Sequence, residues 1–286
     1  RVPRILERYD GFLGDVRADG GRIPALGMTR PSGLLLGLHQ LTPAWGPAWK
    51  ELMALPTLAE RVAAIREPAT RRALVADGEA NGISFGAERV RPLGTGAQPD
   101  YVGPTLAELA ERAGTHPVEI VLDQLVETDG RALFCVAFFN DAHEHLGEFL
   151  ALDGVIPGLG DAGAHAGQIC DADAPTHYLA YWSRDRGSAT LSEAVHRLTA
   201  EPAGVLGLVD RGILAVGAHA DVNVFDPERL AYGYPQYSND IPGGSGRFSV
   251  GSSGYAATLV NGVVVTEDGV NTGARPGTVL RDFSRT

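Results

Sequence analysis

Apolar residues along the chain follow two spacings. One is the three-to-four-residue repeat of a helix with a single buried face. After Thr105 it runs through Leu106, Leu109, Ala110 and Ala113; after Thr190, through Leu191, Ala194, Val195 and Leu198; after Pro117, through Val118, Val121, Leu122 and Leu125. The starts of these helices are marked too. Thr57/Glu60, Thr105/Glu108 and Thr190/Glu193 have capping-box spacing, in which each side chain satisfies a backbone N–H left over by the first turn. Pro117 stands where a first turn accepts proline, because that N–H would be unpaired in any case. The second spacing is a short run that is apolar on both faces, at residues 23–28, 133–139 and 155–159, with a weaker one at 82–85. Such runs predict buried parallel strands. Strands alternating with helices predict a parallel α/β sheet or barrel, interrupted by a Pro- and Gly-containing loop over residues 30–56.

The pattern changes after about Leu208. Residues 220–225 alternate in the manner of a strand, and 256–260 and 263–266 are apolar runs separated by Asn261-Gly262, the strongest short hairpin signal. Between them, residues 231–255 are rich in Gly, Ser, Pro and Tyr and predict a long loop. The expected division is therefore an α/β body over 1–208 and a small β unit over 209–286.

Composition narrows the function. Hydrophobic residues make up 44% of the 286 and charged residues 21%, enough apolar content for a sizeable core and too little charge for disorder. The net charge is −11 and Lys50 is the sole lysine, so the clustered cations that grip phosphates are missing and nucleic acid is excluded as a partner. No apolar run approaches the ~20 residues that span a bilayer, and no membrane partner is expected. Cys135 and Cys170 form no disulfide framework or CxxC pair, which fits a reducing cytoplasm. The amino-terminal RVPRILERYDG lacks the apolar region of a signal peptide. It reads like the middle of a helix, and the expectation is that the chain starts inside a longer polypeptide.

The stretch with the most chemical content is Val155-Ile-Pro-Gly-Leu-Gly-Asp161-Ala-Gly-Ala-His165. An apolar strand ends in small residues and puts an Asp at its carboxyl end, where parallel α/β folds collect catalytic groups. A carboxylate there can take a proton from an attacking water or ligate a metal. An Asp capping a loop or helix is the alternative from position alone.

Further along, this run is followed by Ile-Cys-Asp, Leu-Thr-Ala-Glu-Pro-Ala-Gly-Val-Leu-Gly-Leu, Gly-Ile-Leu-Ala-Val-Gly-Ala-His-Ala-Asp221-Val-Asn-Val-Phe-Asp, and a closing Thr-Leu-Val-Asn-Gly-Val-Val-Val. Together they resemble the amidohydrolase superfamily, in the branch containing N-acyl-D-amino-acid deacylases. Arg30-Pro31 and the helical stretch 56–72 also resemble that branch. The resemblance implies the carboxyl-terminal part of a TIM (β/α)8 barrel followed by part of a β-sandwich. It implies one or two zinc ions, and a small-molecule amide substrate. The family's Asp at the end of the last barrel strand maps onto Asp161, implying a general base and proton shuttle that also serves as a metal ligand. Where the family usually has Ser before this Asp, the chain has Gly160. The family's first-strand His-x-His and later metal-binding histidines are not identifiable. The expectation is a chain whose amino-terminal half, belonging to the same polypeptide, acts as its partner, and which lacks metal and activity alone. Two rivals stand beside this reading: a cyclic-amide hydrolase with the same site, and a non-catalytic fragment that only packs on a partner chain.

Other chemically capable residues have plainer readings. Asp141-Ala-His143-Glu-His145 contains a His-x-His, but Asp141/Glu144 suggests a helix cap. On a helix, residues two apart point about 200° apart, so both histidines are expected at the surface. His165 is expected either to contact substrate or to hold its loop. His177, His196 and His219 read as structural, Cys135 as core, and Cys170 as core or pocket. Asp221 is expected to fix the turn entering its strand.

Overall fold

The computed structural model describes residues 2–21 and 23–281. Helix α1 (Val2–Ala18) leads to strands β1 (Ala25–Met28) and β2 (Ser32–Leu36). Helices α2 (Pro47–Ala54), α3 (Leu58–Arg66) and α4 (Pro68–Asn81) follow, then β3 (Val90–Pro92), α5 (Leu106–Ala113) and α6 (Pro117–Glu127). Next come β4 (Phe134–Phe139), α7 (His143–Ala151) and β5 (Val155–Leu159). A short helix α8 (Ala174–His177) continues directly into a π-helical segment, Tyr178–Asp185, and α9 (Leu191–Leu198) and α10 (Ala200–Leu206) complete the helices. No described helix is long and apolar enough to cross a membrane.

All three capping boxes close reciprocally, at Thr57/Glu60, Thr105/Glu108 and Thr190/Glu193. The Asp141/Glu144 box does not form. Asp141 pairs instead with Arg91 at 3.1 Å, and α7 starts from Ala142 without a side-chain cap.

Two sheets organise the body. β1 and β5 pair in parallel from Ala25↔Val155 onward. β2, β4 and β3 form an antiparallel sheet in that order, so the expectation of parallel pairing fails for residues 133–139. The reason is β2 itself: a Leu-rich strand inside the stretch taken for a loop, running opposite to β4 from Leu36↔Phe134 to Ser32↔Phe139. Residues 82–85 contribute only an isolated bridge, Ala44↔Ile83. The three-stranded sheet separates two cores. Leu36, Val90, Phe134 and Val136 face α2–α6, packing with Trp49, Ile65, Leu74, Leu106 and Leu122. Leu35, Leu133 and Cys135 face the side carrying β5, Tyr178, Trp182 and Leu230.

The last part of the chain is β structure. The region taken for a long loop carries β7 (Ala231–Tyr232), β8 (Gln236–Ser238), β9 (Arg247–Ser249) and β10 (Ser252–Ser253), after β6 (Val222–Phe225). These short strands pair as β7·β10 and β8·β9. β11 (Tyr255–Val260), β12 (Val263–Glu267) and β13 (Val270–Asn271) join β6 in a four-stranded sheet, ordered β13-β12-β11-β6. The β11–β12 connection is the expected two-residue hairpin, with φ of 48° at Asn261 and 78° at Gly262, the left-handed pair that a type I′ turn needs. Asp221 anchors it by accepting the Asn261 N–H at 2.8 Å while pairing with Arg211. Val222, Val224, Val260, Val263 and Val265 lie in this sheet, and none is buried.

Candidate active site

β5 leads into the candidate site. Val155 and Ile156 are buried, and the strand is held from behind by Arg197, whose guanidinium donates to the Val155 carbonyl and, at 2.9 Å, to the Tyr178 hydroxyl. Past Leu159 the chain leaves the sheet and turns. Asp161 accepts the Ala164 N–H at its backbone oxygen, and His165 accepts those of Gln168 and Ile169 at 2.7 and 2.8 Å. The Asp161 side chain is half-buried and has no hydrogen-bond partner among the described residues, so its lone pairs are free to accept a proton. His165 is exposed, and its ring makes no hydrogen bond among the described residues. The turn thus sets the two expected residues on one loop without joining their side chains.

An apolar groove of about 660 Å³ opens at the ends of the same two strands, lined by Ile5, Tyr9, Leu26, Met28, Phe139 and Leu159 among others. Leu159 lies two residues before Asp161.

Beneath the loop lies a buried ionic cluster. The loop returns to the body through Cys170, Asp171 and Asp173, and the turn after β1 meets it. Thr29 donates to the Ala174 carbonyl at 3.1 Å and accepts at its own carbonyl from Trp182 Nε1 at 2.6 Å. Arg30 Nε donates to Asp173 at 2.9 Å, and Nη2 donates to Asp173 and the Cys170 carbonyl, each at 2.8 Å. Nη1 donates to the Pro31 carbonyl at 3.0 Å and pairs with Asp171 at 3.0 Å. The Ser32 hydroxyl donates to Asp171, and the Arg30 guanidinium lies 4.0 Å over the Tyr101 ring. Burial works against the charge of Arg30, but Tyr101, Asp173 and Asp171 outweigh it and hold its pKa above the ordinary value. Burial raises the Asp171 carboxyl, while Arg30 and Ser32 pull it back down.

Gly160 explains the departure from the family's Ser. A Cβ built there would overlap the Asp171 carbonyl oxygen. Gly160→Ser is expected to lower stability by about 1–3 kcal/mol through overpacking, read as a shifted urea midpoint; an unchanged midpoint would show that the loop has room.

The aromatic wall beside this cluster corrects one expectation. His145 is partly exposed and bonds Glu148 at 3.0 Å, but His143 is not a surface residue. Its ring nitrogens are buried without a partner, and it stacks on Trp182 at 4.7 Å. The π-helical segment turns Trp182 inward against α7, a tertiary contact that no local pattern signals. His177 is buried against Tyr181 and Tyr232, with Nδ1 unpartnered. Burial lowers His143 to about 4 and puts His177 well below the ordinary value. Both imidazoles are neutral in the fold and charge once unfolded. Their stabilisation is therefore complete above pH ~6.5 and lost as pH falls from there towards the folded value. Asp171, raised by burial, acts with the opposite sign. The expected result is a Tm that drops between pH 7 and pH 5, and drops less in His143→Phe. An equal drop in both proteins would remove His143 from the effect.

Both cysteines are free and buried. Burial pushes the Cys135 thiol up to about 12 and the Cys170 thiol up to about 11, and only a thiolate attacks. His219 bonds Asn261 at 2.9 Å and pairs with Asp210 at 3.2 Å, in the expected structural role. The described residues contain no group of three His, Cys, Asp or Glu side chains placed to hold a metal ion. Catalytic zinc usually has three protein ligands, and no such set is assembled by the described residues.

The chain belongs to the amidohydrolase family, whose model matches residues 39–266. It is 40% identical over 106 residues to the N-acyl-D-glutamate deacylase of Alcaligenes xylosoxydans xylosoxydans, a match covering 37% of this chain and 20% of that protein. It is 38% identical over 106 residues to the N-acyl-D-aspartate deacylase of the same organism, covering 37% and 19%. The matches thus span about a fifth of the length of these relatives. Among solved structures it is similar to an N-acyl-D-glutamate deacylase from Bordetella bronchiseptica complexed with zinc and a phosphonate inhibitor. That match has 27% identity and a TM-score of 0.35, and covers 68% of this chain and 38% of that one.

Proposed function

We propose that the protein is a hydrolase of carbon–nitrogen bonds other than peptide bonds, acting on an N-acyl-D-amino acid to release the D-amino acid and a carboxylate. The observation that carries this is Asp161: a half-buried carboxylate with free lone pairs at the end of a parallel strand, in a chain of the amidohydrolase family. In the proposed reaction Asp161 takes a proton from the attacking water and delivers it to the leaving nitrogen. His165, exposed on the same loop, is placed to meet substrate. In this reading β1 and β5 are late strands of a barrel, residues 1–208 belong to the hydrolase body, and the sheet β13-β12-β11-β6 within 209–286 is part of a sandwich.

Zinc, which the family resemblance implies, would polarise the amide carbonyl and activate water. Asp161 would be its one ligand from the described residues, the others coming from outside them. The chain by itself, after dialysis, is therefore expected to hold far less than about one zinc per chain by elemental analysis. A stoichiometric metal would contradict this account of the site.

The substrate class is tested by assaying the protein as its host makes it against open-chain N-acyl amino acids and cyclic amides. Release of amine from the open-chain compounds supports the proposal. Opening of cyclic amides alone would replace it with the cyclic-amide reading, and no hydrolysis of either, by a folded protein supplied with zinc, would favour a packing role.

A further inference from the structure

We propose that Arg30, with Ser32, is a positioning residue for Asp161: through Asp171 and Asp173 it clamps the loop that presents the catalytic carboxylate. This rests on the proposed amide hydrolysis and adds residues that the strand-end motif does not contain.

Three observations carry it. First, the guanidinium has no free donor. Nε, Nη1 and Nη2 are all engaged, by Asp173, by Asp171 with the Pro31 carbonyl, and by Asp173 with the Cys170 carbonyl. A cation so occupied, with its side chain 5% exposed, is not available to a substrate carboxylate. Second, the contacts have a direction. Thr29 and Arg30, just past β1, and Ser32, at the start of β2, all reach to the 170–182 segment, on which the Asp161 loop closes. Third, the clamp touches the site. Gly160 lies directly against the Asp171 carbonyl, with no room for a side chain, so the residue before Asp161 is packed on the clamped segment. A misplacement of about 1 Å in a catalytic group can cost ~10²-fold in rate, and such groups are held by the partners of their partners.

The test uses two mild substitutions in the protein as its host makes it. Ser32→Ala removes one hydrogen bond to Asp171 and leaves Arg30 in place. Arg30→Lys keeps the charge and loses the planar fork that engages two carboxylates and two carbonyls. Each variant is assayed with N-acyl-D-glutamate, and its amide hydrogen exchange is followed. The expected result is a fall in kcat of about 10-fold for Ser32→Ala and about 100-fold for Arg30→Lys, with KM within about twofold. Exchange is expected to quicken at residues 161–169 and to stay unchanged in the β2–β4 pairing. A raised KM with unchanged kcat would make these residues substrate contacts and overturn the proposal. So would faster exchange of the loop without loss of kcat, or unchanged exchange in both folded variants. If the unsubstituted protein hydrolyses no N-acyl amino acid, the functional reading fails by itself, and the exchange comparison still decides whether the clamp holds the loop.

Discussion

Asp161→Asn, in the protein as its host makes it, is expected to lower kcat for amide hydrolysis by ~10²–10⁴-fold, the usual cost of losing a general base, with little change in stability. The substitution preserves size and shape, and the side chain it replaces is half-buried and makes no hydrogen bond among the described residues. Little in the fold depends on its charge, so a loss of activity cannot be laid to unfolding. The variant should therefore unfold at the same urea concentration as the unsubstituted protein while losing turnover. Asparagine cannot take the proton from water, so the fall should appear in kcat rather than in KM. A variant that keeps near-normal kcat would remove Asp161 from the mechanism and leave its position at the strand end as a matter of loop geometry.

The largest stability effect is expected at Arg30. Arg30→Leu leaves Asp171 and Asp173 buried, with exposures of only 9% and 1% for their side chains, and with no opposing charge. Breaking a buried pair from one side typically costs about 3–5 kcal/mol, because the remaining charge is stranded. The Tyr101 ring also loses the guanidinium that covers it at 4.0 Å. Urea denaturation should show the full loss. Adding Asp171→Asn and Asp173→Asn should recover part of it, since residues sharing one network are not additive. If Arg30→Leu were neutral, or if the added substitutions deepened the loss, the cluster would not be the electrostatic unit described.

Local signals in the sequence hold where no distant partner competes, and fail at Asp141/Glu144, where Arg91 takes the aspartate. The capping boxes at Thr57, Thr105 and Thr190 need only residues three apart, and Asn261-Gly262 needs only a two-residue turn with positive φ. β5 and its terminal Asp161 were legible because an apolar run ends in glycines. β2 was hidden because Pro31 and its neighbouring glycines look like loop, and its partner β4 lies about a hundred residues on. For the same reason the antiparallel pairing of β4 was out of reach: direction is set by the partner, not by the strand's own composition. The ionic cluster was invisible for a related cause. Arg30 and Asp173 are 143 residues apart, and nothing in an Arg-Pro dipeptide or an Asp-Ala-Asp run announces that they meet. Helical spacing alone puts His143 at the surface because it describes one helix, whereas its burial depends on Trp182 arriving from another segment.

The most direct test of the central claim is amine release from N-acyl-D-glutamate and N-acyl-D-aspartate, run beside their L-antipodes, with the product resolved by chiral chromatography. The account predicts stoichiometric D-amino acid and carboxylate from at least one D-substrate, with the L-compounds untouched. Equal hydrolysis of both antipodes, or none of any by the folded, zinc-supplied protein as its host makes it, would contradict it.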